Sequence, residues 1–145
     1  MIYSLASSLF PATYPGLSDT AYVIMATVAG LLLFTSILLH ELGHAFRALA
    51  EGMRIDGITL WLFGGVARFH GMFPSPGAEF RIAVAGPLVS AAIAALLGAV
   101  TALGARFGMP DPIQGTVDYL WRINAIVLAF HLIPALPLDG GRVFR

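Results

Sequence analysis

Long uncharged segments separated by short charged clusters dominate this 145-residue chain. The first runs from 21 to 39 between Asp19 and Glu41, and 19 helical residues at 1.5 Å each approach the thickness of a bilayer core. A second uncharged segment covers 82–105. A third ends in a stretch broken by two prolines. The pattern predicts three transmembrane helices, over about 21–40, 82–105 and 120–138.

A shorter apolar segment between the first two predicted helices cannot cross a membrane as a helix. It is rich in β-branched and aromatic residues and contains the pair Gly64-Gly65. This composition is typical of an extended strand or hairpin, which we place at the membrane face over about 57–69. The predicted fold is an all-α polytopic membrane protein with this short β element, organised as a single domain over 1–145.

Composition agrees with a chain covered by lipid. Apolar residues make up 58% and charged residues 11%, against about 25% charged in ordinary soluble domains. The eight basic residues are all arginine and are balanced by eight acids, so no positive surplus favours a nucleic-acid partner. Because cysteine is absent, only histidine and carboxylate side chains remain as strong metal ligands.

The arginines predict an orientation. If the first helix runs inward, six arginines lie on the cytoplasmic side and only Arg106 and Arg122 lie outside, as the positive-inside rule favours. The first and third helices then end on the same cytoplasmic side. We expect a multi-pass protein of the cell membrane whose active site faces the cytoplasm.

The first helix ends in His40-Glu41-Leu42-Gly43-His44, an H-E-x-x-H motif. Residues four apart share one helix face, so both imidazoles can reach a single metal ion, while Glu41 can take a proton from water. Ionisable groups next to a membrane span are costly and are normally functional or paired. The motif therefore predicts ligation by His40 and His44 over a structural histidine pair.

Catalytic zinc usually takes three protein ligands, which requires one more donor. Asp139 follows the prolines of the third segment, and the flexible pair Gly140-Gly141 follows it in turn. An Asp-Gly pair is otherwise typical of a solvated turn, and His131 is a rival ligand. We favour Asp139 as the third ligand of one zinc ion per chain, with His131 nearby as a hydrogen-bonding group.

Gly86 and Pro87 stand near the start of the second predicted helix, and Gly86-x-x-x-Ser90 forms a small-residue pair. Such pairs allow helices to pack closely in lipid. A role in shaping the wall of an active site is the other interpretation, and both stay open.

The sequence resembles the site-2 protease family of intramembrane zinc metalloproteases. The resemblance rests on four blocks in order, LLHELGHAF, LFGGVARF, EFRIAVAGPLVS and HLIPALPLDGGRV, and covers most of the chain from about residue 20. It implies zinc ligation by His40, His44 and Asp139, with Glu41 as catalytic base. It also implies that the Gly64-Gly65 strand holds substrate as an extended segment.

Two features differ from the usual family pattern. His131 stands where the family usually has asparagine. Members of the subgroup with the F-G-G-V-A-R block often carry cystathionine-β-synthase-type domains after this core, and usually a further helix before it, so we interpret the chain as a core or fragment.

The predicted function is hydrolysis of peptide bonds within or near transmembrane segments of other proteins, as in regulated intramembrane proteolysis. A catalytically silent membrane protein that binds partners through the same fold is one alternative, although it would not need Glu41. A metal transporter is another, although it would need more histidines and acids along a path through the bilayer.

Overall fold

The structure is a computed structural model that describes residues 1–61, 64–70, 73–133 and 139. Helices α1 (Ile2–Ser4) and α2 (Phe10–Thr13) flank a π-helical turn (Leu5–Leu9). They are followed by α3 (Asp19–Ala50), strands β1 (Arg54–Trp61) and β2 (Gly64–His70), α4 (Pro76–Phe107) and α5 (Asp111–His131). Contacts divide the chain into two compact units, which are Met1–Thr35 with Ile93–Asn124, and Ser36–Ala92 with Ala125–Arg145.

Among the described residues, α3 and α4 are long and apolar enough to cross a membrane. Both helices carry exposed apolar side chains along their length, as lipid-facing helices do. Examples that are more than half exposed are Val23, Ile24, Leu31, Phe34, Leu88, Leu96 and Leu103. The helices extend beyond the predicted spans of 21–40 and 82–105 at both ends, since polar helix turns can continue past the apolar core.

The third predicted span, about 120–138, overlaps helix α5 in part. This helix begins earlier, at Asp111, and ends at His131. Pro112 is tolerated because the amide groups of the first helical turn need no helical partner. Residues 134–138 lie outside the described residues. A third membrane crossing and the single-domain organisation stay predictions.

The first unit has its own core. It joins Leu5 and Phe10 to one face of α3, at Tyr22, Met25, Ala26 and Ala29. The Tyr22 hydroxyl donates a hydrogen bond to the Tyr14 carbonyl at 2.7 Å, which ties the loop before α3 to that helix. Phe10 also packs edge to face on Tyr119 of α5, with 6.0 Å between ring centroids. These contacts fix the start of α3.

In the second unit, α3 ends in a Schellman motif. Gly52 has φ +80, a value that favours glycine, and the Met53 amide donates to the Ala48 carbonyl at 3.0 Å. Ala48 and Met53 are buried together with Ile82 of α4. The end of the helix that carries the H-E-x-x-H motif is thereby packed against α4.

Strands β1 and β2 follow this turn and pair antiparallel. Their register places Arg54 opposite His70 and Trp61 opposite Gly64, with an irregularity between Ile55 and Gly57. The sequence predicts a strand or hairpin over 57–69. Of these residues, 57–61 and 64–69 lie in the two strands, and 62 and 63 lie outside the described residues. The position of this segment at the membrane face stays a prediction.

An ion cluster joins the end of α3 to the start of α4. Glu51 accepts two hydrogen bonds from Arg81, each 2.7 Å long, and a third from Arg47. The bonds from Arg81, supported by Arg47 against the opposing effect of desolvation, lower the pKa of Glu51 from 4.5 to about 2. The folded state therefore favours the ionised carboxylate.

This cluster predicts a pH-dependent stability difference. Because its pKa is depressed, Glu51 contributes stability that is complete above 4.5 and is lost as pH falls toward about 2. In detergent-solubilised protein, Glu51→Gln should lower the unfolding temperature at neutral pH, and the gap to wild type should narrow across that acidic window. Equal unfolding temperatures at neutral pH would contradict the prediction.

Candidate metal centre

Three side chains of the second unit converge at the C-terminal part of α3. One ligand atom from each of His40, His44 and Asp139 lies within 4.8 Å of the other two. The two Nε2 atoms are 3.1 Å apart, and the Asp139 carboxylate oxygens lie 3.1 Å from His40 Nε2 and 3.3 Å from His44 Nε2. The structure thus brings together the three residues that the sequence predicts as ligands.

The spacing of these atoms fits a small tetrahedral cation. Zinc binds histidine nitrogen and carboxylate oxygen at about 2.0–2.2 Å, which places neighbouring tetrahedral ligand atoms roughly 3.3 Å apart. Two neutral imidazole lone pairs and a carboxylate at such separations repel one another unless a proton or a cation lies between them. The donor set therefore matches the mixed nitrogen and oxygen ligands of catalytic zinc sites.

The histidines are buried and held by hydrogen bonds at their far nitrogens. His40 is 3% exposed and His44 is 7% exposed. His44 donates from Nδ1 to the Ile82 carbonyl at 2.7 Å, and His40 Nδ1 lies 2.8 Å from Ser90 Oγ. Metal-ligating histidines almost always have such a partner at the second nitrogen.

Gly86 faces the two histidines directly. A Cβ atom added there would lie 2.2 Å from His44 Nε2 and 2.7 Å from His40 Nε2. Real Cβ atoms essentially never come this close to another heavy atom, so only glycine leaves room for the histidine rings. Gly86 thus lies against the histidine pair, and its role in the wall of an active site stays a prediction.

Close helix packing is carried by a different glycine, Gly43. A Cβ atom at Gly43 would lie 2.9 Å from Val89 Cγ2 and 3.0 Å from the Ala85 carbonyl oxygen. This approach brings α4 within reach of both histidines.

The remaining predicted residues occupy different positions. Glu41 is 5% exposed and follows His40 on α3. His131 packs against His40 with 4.6 Å between ring centroids, and its Nδ1 donates to the Val127 carbonyl at 2.8 Å. Pro87 is buried inside α4. Gly64 and Gly65 pair through the backbone with Trp61 and Leu60.

The hydrogen bond of His131 restricts its chemistry. With the proton on Nδ1 engaged by a carbonyl, the neutral ring presents Nε2 only as an acceptor. It can donate from Nε2 to an oxyanion only as an imidazolium. An asparagine amide has no such restriction, because it carries donors and an acceptor together.

Sequence reasoning missed Ser90 and Ile82 as partners of the histidines. The spacing Gly86-x-x-x-Ser90 drew attention to Ser90 as part of a small-residue pair, for helix packing or for the wall of an active site, and not as a hydrogen-bond partner of His40. The Ile82 contact uses a backbone carbonyl, and no residue type signals that role.

The family model of peptidase family M50 matches residues 28–123, about two thirds of the chain. The chain belongs to peptidase family M50. This is the site-2 protease family that the sequence resembles. With its two long apolar helices, the M50 chain is an integral membrane protein.

Individual relatives of the chain are named as zinc metalloproteases. The chain is 42% identical over 134 residues to the Synechocystis protein sll0528, whose name describes a candidate zinc metalloprotease. This match covers 92% of the present chain and 35% of the relative. The chain is also 40% identical over 137 residues to the zinc metalloprotease MJ0392 of Methanocaldococcus jannaschii. This match covers 94% of the present chain and 39% of the relative. The M50 chain thus spans little more than a third of these relatives.

A solved M50 structure has the same fold. The site-2 protease from Methanocaldococcus jannaschii superposes with a TM-score of 0.61 at 31% sequence identity. The match covers 99% of this chain and 60% of that one. Family membership and the donor set together imply zinc as the metal.

Proposed function

We propose that the chain is the catalytic core of an intramembrane zinc metalloprotease that hydrolyses peptide bonds within or near transmembrane segments of other proteins. The observation that carries the proposal is the group of His40, His44 and Asp139 in the second unit, at the end of an apolar helix. A buried carboxylate, Glu41, is next to the first ligand in sequence. A silent binding protein would not need that carboxylate.

In this proposal, His40 and His44 bind one zinc ion through Nε2, and Asp139 binds it through its carboxylate. The bound ion would polarise the scissile carbonyl and lower the pKa of a water molecule toward neutrality. The Nδ1 contacts fix both rings, and the absence of a side chain at Gly86 leaves the space that the rings occupy.

Glu41 is the general base. Its carboxylate takes a proton from the attacking water as the new carbon–oxygen bond forms, and returns that proton to the leaving amide nitrogen as the peptide bond breaks. His131 and Pro87 support the site, His131 by packing on the ring of His40. Water is the only co-reactant, and it supplies the hydroxyl group of the new acid and the proton of the new amine.

The substrate would be a locally unwound transmembrane segment of another protein. The described strands form a two-stranded sheet, in which each strand has a second edge that its partner does not occupy. An extended peptide can add to such an edge through backbone hydrogen bonds, and Gly64 and Gly65 allow close approach because they lack side chains. We place the site on the cytoplasmic side of the cell membrane and the reaction in regulated intramembrane proteolysis.

Zinc dependence tests the function directly. The full chain, purified and reconstituted in phospholipid vesicles with a transmembrane substrate, should contain about one zinc per chain and cleave the substrate. A chelator should stop cleavage, and added zinc should restore it. Cleavage that continues after complete metal removal would exclude a metalloprotease.

Asp139→Asn tests the third ligand. The neutral amide is a weaker donor than a carboxylate, so zinc affinity should fall by more than the roughly 10- to 100-fold typical of residues that only orient ligands. The measurement is competition with a chromogenic chelator. Unchanged metal occupancy would exclude Asp139 as a ligand.

The matched control is Asp118→Asn. The Asp118 side chain is 18% exposed, against 16% for Asp139, and it pairs with Arg122 in the other unit. This control removes a similarly buried carboxylate without touching the three ligands, so its zinc affinity should equal that of wild type.

A further inference from the structure

Three residues of α4, one helical turn apart, face the histidine pair of α3. They are Ile82, Gly86 and Ser90, and we name them the α4 stripe. Ile82 meets His44 and Ser90 meets His40, while Gly86 lies against both rings. The two helices run antiparallel here, and one turn of α3, from His40 to His44, faces two turns of α4, from Ser90 through Gly86 to Ile82.

The two contacts differ in what they impose on the rings. A carbonyl oxygen can only accept, so the Ile82 contact requires the proton of His44 on Nδ1 and leaves the Nε2 lone pair for a ligand. A serine hydroxyl can donate or accept. The contact between His40 and Ser90 is therefore compatible with either tautomer of His40.

The position of Asp139 makes the tautomer of His40 matter for metal binding. The Asp139 carboxylate oxygen lies 3.1 Å from His40 Nε2, where it can accept a hydrogen bond from that nitrogen when the nitrogen is protonated. A His40 ring protonated on Nε2 would satisfy Asp139 but would have no lone pair for a metal at that atom. Two tautomers of His40 thus compete, and only one of them binds metal through Nε2.

We propose, on the basis of the zinc site proposed above, that Ser90 is a positioning residue that selects the metal-binding tautomer of His40. Its Oγ accepts a hydrogen bond from the Nδ1–H group of His40, which leaves the Nε2 lone pair for the metal. Ser90 and His40 are each 3% exposed, so no solvent replaces this acceptor if the hydroxyl is removed. Within the small-residue pair Gly86-x-x-x-Ser90, Ser90 then orients His40, and Gly86 leaves space for both histidine rings.

The first test is zinc affinity by chelator competition on the purified full chain in detergent. Ser90→Ala should weaken zinc binding about 10- to 100-fold, as loss of a partner to a ligating histidine typically does. Ser90→Thr, which keeps the hydroxyl, should bind nearly as tightly as wild type. Thr116→Val removes another buried hydroxyl, one that donates only to the Pro112 carbonyl of its own helix, and should have no effect.

The second test uses protein with serine at position 90, so it does not depend on whether a Ser90 variant folds. In wild type labelled with ¹⁵N-histidine and loaded with ¹¹³Cd²⁺ as a stand-in for zinc, cadmium should couple to Nε2 of His40, and the Nδ1 shift should be that of a protonated, hydrogen-bonded nitrogen. Assignment uses His131→Gln and His70→Gln to remove other signals.

Coupling of cadmium through Nδ1 of His40, or wild-type zinc affinity in Ser90→Ala, would overturn the role of Ser90 while leaving the zinc site intact. Wild type that binds neither metal would overturn the proposed function and this inference together. Equal losses in Ser90→Ala and Ser90→Thr would also overturn it, because packing rather than the hydroxyl would then be responsible.

Discussion

Glu41→Gln should abolish cleavage of a transmembrane substrate while the protein keeps its zinc. Glutamine has nearly the shape of glutamate but cannot accept a proton, so the attacking water loses its base and the leaving nitrogen its acid. Removing a general acid–base catalyst typically costs about 10²- to 10⁴-fold in rate. The measurement is single-turnover cleavage in phospholipid vesicles, with zinc content determined on the same preparation.

Zinc content is what makes this result decisive. Glu41 is buried and follows His40 in the sequence of α3, so a variant that lost both zinc and activity would show only that the helix had been disturbed. Glu79→Gln, in the first turn of α4, changes a glutamate outside the three-residue group and should leave both quantities unchanged. Retained cleavage in a zinc-loaded Glu41→Gln protein would remove Glu41 from the mechanism.

Much of the fold could be predicted because two strong signals agree along α3. The long uncharged segment indicates a membrane helix, and a costly ionisable group at its end indicates function. The bounds of α5 could not be predicted in the same way. Asp111 and Pro112 follow Gly108 and Pro110, and this cluster is equally typical of a loop and of a helix start.

Some residues of the candidate site could also be predicted from the sequence, and others could not. His40 and His44 could be predicted because a short-range spacing on one helix brings them together, and the need of catalytic zinc for a third protein ligand pointed to Asp139. Ser90 and Ile82 could not, because their roles depend on how α4 is set against α3. The two helices approach closely at Gly43, and no local pattern encodes long-range packing of this kind.

Gly86→Ala should destroy the metal site while leaving the helix intact. The new methyl group would lie 2.2 Å from His44 Nε2 and 2.7 Å from His40 Nε2, so both donor atoms, or α4 itself, must move. Displacing two ligands should weaken zinc binding by at least about 100-fold, the upper end of what loss of a single supporting contact produces. Chelator competition measures the affinity, and cleavage should fall with it.

Gly98→Ala is the matched control on the same helix. A Cβ atom at Gly98 would lie 3.9 Å from the Trp121 ring, which is ordinary van der Waals contact. Alanine is the better helix former by about 1 kcal/mol, so both variants should keep or gain helicity by circular dichroism. Because helix propensity changes equally in the two proteins, a loss of zinc confined to Gly86→Ala must come from the space beside the histidines. Equal zinc affinity in the two variants would contradict this prediction, because it would show that α4 can move at Gly86 without weakening zinc binding.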